Sequence, residues 1–93
     1  MTVATLRLVL LVNNCHVPRE KRRRVRAIME KLHRHFNISV AEMDHDEDPS
    51  QAVLAVVAVG RTRREVHERL DRVAAAVAAH PRAALLSHVI TEV

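Results

Sequence analysis

Two sets of residues in this chain of 93 are of types that do chemistry. The first is Cys15, His16, Asp44 and His45, with His80 further along. Thiolate, imidazole and carboxylate are the groups that hold zinc, and a cysteine near a helix start can have a lowered pKa. None of the set has the close local pairing of a metal motif, and no nucleophile stands with a recognisable general base. The simpler reading is a polar network that fixes two turns, with His16 and Asp44 hydrogen-bonded. No catalytic residue, metal or cofactor is assigned, and an enzyme or ligand site at this end of the molecule is the third-ranked reading.

The second set is cationic: Arg19, Lys21, Arg22, Arg23, Arg24 and Arg26. Residues three and four apart share a helix face, so Arg19, Arg22, Arg23 and Arg26 form one row, with Lys21 and Arg24 to one side. Guanidinium groups bind phosphate through two parallel hydrogen bonds. The stretch Pro18 to Phe36 holds eight basic residues against two acidic ones, +6 where the whole chain carries +4. A charge run often serves solubility alone. Five consecutive charged residues, Glu20 to Arg24, exceed that need and point to phosphate, hence to RNA or the ribosome as partner. The acidic turn 44–48 is expected at the same end and can shield these arginines.

Around these residues the chain reads as six elements. Residues 3–12 alternate, with Ala4, Leu6, Leu8, Leu10 and Val12 on one face of a strand. Pro18 opens a helix that runs to about Phe36, with Val25, Ile28, Met29, Leu32 and Phe36 as its apolar stripe. Val17 is a poor cap for it. Residues 38–43 make a second, more polar strand. Residues 52–59 are a continuous apolar run, the mark of a central strand. Thr62 and Glu65 form a capping box for a second helix, striped by Val66, Leu70, Val73 and Val77 and stopped at His80-Pro81. Residues 85–93 are a last strand.

The order β-α-β-β-α-β predicts one ferredoxin-like α+β domain over residues 1–93: a four-stranded antiparallel sheet with two helices on one face. The first and third strands are expected at the centre. Right-handed crossovers then bring Cys15, His16, the start of the basic helix, the 44–48 turn and His80 to one end. The opposite sheet face keeps Val3, Val9, Leu11 and half of 52–59, too apolar to leave wet. Dimerisation through it is the alternative function, an assembly module.

Composition removes several function classes that this fold hosts. One cysteine rules out an iron–sulphur cluster, which takes about four. It also rules out an internal disulfide and fits a reducing compartment. Pro18 occupies the second position that a metal-chaperone Cys-x-x-Cys would need. The sole aromatic residue is Phe36, so bases cannot stack on the central strands. Asp44, Asp46 and Asp48 imitate a calcium loop, but Pro49 replaces its glycine and Ala55 its final glutamate. The apolar run 3–12 is interrupted by Arg7 and is too short to span a bilayer. We expect a cytoplasmic protein with no membrane partner.

The segments TLRLVLLV, His16 with Arg19-Glu20-Lys21-Arg22-Arg23, Phe36-Asn37-Ile38-Ser39-Val40-Ala41-Glu42-Met43-Asp44-His45 and Ala79-His80-Pro81 resemble the YlxP-like family of small bacterial proteins of unknown function. The resemblance covers essentially the whole chain, and F-N-x-S-V-A-E-x-D-H is its specific part. It implies a ferredoxin-like fold and a cytoplasmic bacterial protein. Genes of the family often lie near translation and ribosome-maturation genes. The chain departs from the family pattern at Val17, where a serine is usual, and at Asp48-Pro49-Ser50, where an aromatic residue often stands.

Overall fold

A computed structural model describes residues 1–12, 17–43 and 49–93. Its elements are β1 (Thr2–Val12), α1 (Pro18–His35), β2 (Ser39–Met43), β3 (Gln51–Gly60), α2 (Arg63–Ala78) and β4 (Ala83–Glu92). The strand order is β2-β3-β1-β4, with every neighbouring pair antiparallel. The architecture is therefore the ferredoxin-like α+β fold, and the two most apolar strands are central.

The alternation of β1 becomes the core directly. Ala4, Leu6, Leu8, Leu10 and Val12 are all buried. Register sets the first four beside Ala58, Val56, Leu54 and Ala52 of β3, because paired residues point to the same face. Val25, Ile28 and Leu32 from α1 and Val66, Leu70, Val73, Ala74 and Val77 from α2 close over that face. Among the described residues no polar or charged side chain is buried. The core is aliphatic throughout, with Phe36 packed at its margin.

Three details depart from the sequence reading. β4 begins at Ala83 rather than at 85, because Ala83 pairs with Val12 and is buried. It also carries a bulge: Val9 faces Ser87 while Leu10 faces Leu85, leaving Leu86 as the extra residue. The capping box closes differently from its usual form. Thr62 Oγ1 accepts the Glu65 N–H at 3.1 Å, but the Glu65 carboxylate accepts from the N–H of Arg61 at 3.2 Å. Gly60, at the end of β3, is required by a close approach: a Cβ there would lie 2.8 Å from Val66 Cγ2.

Candidate nucleic-acid interface

α1 begins at Pro18 without a side-chain cap from Val17, as that residue's side chain dictates. Its first buried residue is Val25. The two turns before it thus contribute no buried residue to the core. Arg19, Arg22, Arg23 and Arg26 are exposed and together line a shallow recess of about 220 Å³. The i, i+3, i+4 and i+7 spacing of these four is the reason they meet. Lys21 and Arg24 are half-buried and stand to one side of the row.

The electrostatics of the two helices differ. On α2, Arg64 pairs with Glu68 at 2.9 Å and Arg69 with Glu65 at 3.1 Å. The Arg64 guanidinium holds the Glu68 carboxyl below its ordinary range, chiefly through that hydrogen bond. Arg63 and His67 both meet Glu92 at the end of β4. On α1, Arg19, Arg22, Arg23 and Arg26 have no carboxylate partner among the described residues. Three arginines of α2 are thus paired with carboxylates, and among the described residues the positive charge of those four on α1 is not. The partial positive charge of the α1 N-terminus adds to it.

Cys15, His16, Asp44 and His45 lie outside the described residues, as does the acidic turn 44–48. The elements that flank them end together. Val12 pairs with Ala83 and donates its N–H to the Ser50 carbonyl at 2.8 Å, and Met43 pairs with Val53. His80, expected at this end, lies against α1. Its Nδ1 accepts the Arg82 N–H at 3.2 Å. Burial, then the charges of Lys31 and Arg82, lower its pKa from the ordinary 6.5. Among the described residues no three His, Cys, Asp or Glu side chains converge as metal ligands would.

Two features escaped the sequence reading. Arg69 is a structural clasp: its Nη1 donates to the carbonyls of Asn37 at 3.2 Å and Val59 at 3.0 Å. In the sequence it is one more charge in a helix full of them. The other is a groove of about 300 Å³ between α1 and α2, lined by Ile28, Lys31, Leu32, His35, Phe36, Ala76, Val77 and His80. The run Val73-Ala74-Ala75-Ala76-Val77-Ala78-Ala79 was its available signal, since such small side chains cannot span a gap to a neighbouring helix.

A ferredoxin-like domain whose first helix carries a row of four exposed arginines, without carboxylate partners among the described residues, is the class that this geometry defines. Residues 3–90 match the model of the family described as "Protein of unknown function (DUF503)". The chain belongs to that family. Comparison with curated proteins gives no match. No helix among the described residues is long and apolar enough to cross a membrane.

Proposed function

We propose that this protein is a small RNA- or ribosome-associated binding protein that docks phosphates on the first turns of α1. The observation that carries the reading is the recess lined by Arg19, Arg22, Arg23 and Arg26, exposed and without carboxylate partners among the described residues. Successive phosphates on a flexible strand, or along one face of a duplex, can engage such a row, each guanidinium binding one of them bidentately. With no aromatic platform on the sheet, recognition is of the backbone and is insensitive to base sequence. The resemblance to the YlxP-like family, with its translation-related gene neighbours, agrees with this reading.

The test is a titration of labelled single-stranded and structured RNA at low salt. The wild-type protein is expected to bind both. Arg22→Glu combined with Arg23→Glu is expected to abolish binding while leaving the circular dichroism unchanged. Absence of binding below about 100 µM, the weak end of non-specific affinity, contradicts the proposal.

A second reading concerns the uncovered sheet face. Val57, Val59, Met43 and Val89 stand on it at 39%, 50%, 43% and 55% exposure. Among the described residues its single charge is Arg7, paired in register with Ala55 and Val89. This surface supports a homodimer in which the sheets of two copies face each other, leaving both arginine rows outside.

A further inference from the structure

We propose that the groove between α1 and α2 binds a small apolar carboxylate. The inference is independent of RNA binding, which uses the other end of α1. α2 presents the small side chain of Ala76 to the groove, where a larger residue would fill it. Ile28, Leu32 and Val77 form the buried floor, and Phe36 and Ala76 make half-buried walls. The exposed lining is almost wholly apolar. Water over such a surface is readily displaced by an apolar body, and the volume of about 300 Å³ lies at the small end of ligand sites.

The rim selects the head group. Lys31, His35 and His80 line it, and no carboxylate does. The Lys31 ammonium has no acidic partner within 4 Å among the described residues. His80 accepts the Arg82 N–H at Nδ1. That leaves its Nε2–H, without a partner among the described residues, as a donor it can offer to the groove. One ammonium and one neutral imidazole N–H match a monoanion with two oxygens. A monoanion balances the Lys31 ammonium, and a neutral hydrocarbon would use neither donor. The occupant is thus an aliphatic or aromatic monocarboxylate, chain in the groove and carboxylate at Lys31 and His80.

Sodium octanoate is the probe, with 1-octanol as its neutral counterpart, followed by methyl and amide NMR on the full chain. Saturable shifts are expected at Ile28, Leu32 and Val77, with octanoate bound at least about fivefold more tightly than octanol. Lys31→Gln, an exposed change, is expected to erase that preference and leave octanol binding unaltered. Ala76→Leu, which fills the groove, is expected to reduce both. The proposal is overturned by any of three results: no saturable shift below about 1 mM, shifts confined to the open sheet around Val57, or equal affinity for octanoate and octanol. Lys31→Gln keeps the test decisive if Ala76→Leu perturbs folding.

Discussion

Gly60 shows how a single residue is constrained in this protein. Val66 is fully buried, and as a β-branched residue it has little rotamer freedom with which to yield. A Cβ at position 60 would sit 2.8 Å from its Cγ2 and 3.2 Å from Glu65 Cδ, against the carboxylate that caps Arg61. Gly60→Ala is therefore expected to destabilise by about 1–3 kcal/mol through overpacking. The denaturant midpoint should fall with an unchanged slope, and a rise in the midpoint contradicts the account. His80 gives a residue-scale prediction in pH. Its neighbours are Lys31 on α1 and Arg82 on the following turn, with His35 also lining the groove. Its folded pKa lies below the ordinary 6.5, so the unfolded chain takes up the proton first. The stability tied to His80 is thus complete above pH 6.5 and is lost as pH falls through the folded pKa. Protonation also removes the acceptor for the Arg82 N–H. An NMR titration should place the His80 midpoint below 6.5, and His80→Asn should flatten that part of the stability curve. A midpoint above 6.5 contradicts the account.

At the scale of elements, α1 divides in two. From Val25 onward it is anchored by Val25, Ile28 and Leu32; before that it carries three of the four arginines of the row, Arg19, Arg22 and Arg23. Substitutions in the two halves should behave differently. Arg22→Glu with Arg23→Glu is expected to change stability by no more than about 0.5 kcal/mol, as exposed positions do. Ile28→Ala, which opens a cavity in the core, is expected to cost about 2–5 kcal/mol. Thermal melts of the two variants provide the comparison, and similar losses would contradict the division. This division was legible in the sequence. The stripe of α1, the alternation of β1 and the unbroken run of β3 are each periodic in one element, and periodicity reports a face without knowledge of the partner. Topology followed from element order. The inter-helix groove was legible on one side only: the alanine-rich run 73–79 marks one wall, but the other wall lies on a helix far away in the chain. Arg69 was missed for a related reason: its partners Asn37 and Val59 are backbone carbonyls on other elements, which no local pattern marks. The bulge at Leu86 likewise depends on pairing register rather than on composition.

The whole molecule measures 42 × 24 × 17 Å and presents two distinct surfaces. The open sheet is apolar, and burying it would gain about 25 cal/mol per Å². A dimer through this face is expected to be disrupted by Val57→Glu without loss of helix content. Light scattering at tens of micromolar, about the range where weak dimers persist, tests this, and a monomeric wild type sinks the dimer reading. The central claim concerns the other surface, the arginine row, and the most direct test is the salt dependence of RNA affinity. Neutralising a phosphate with each of Arg19, Arg22, Arg23 and Arg26 should give a slope of log K against log salt of about −3 to −4. Arg22→Glu with Arg23→Glu should remove the salt-dependent binding. A wild-type slope near zero, or one unchanged in the double variant, would contradict phosphate docking on α1.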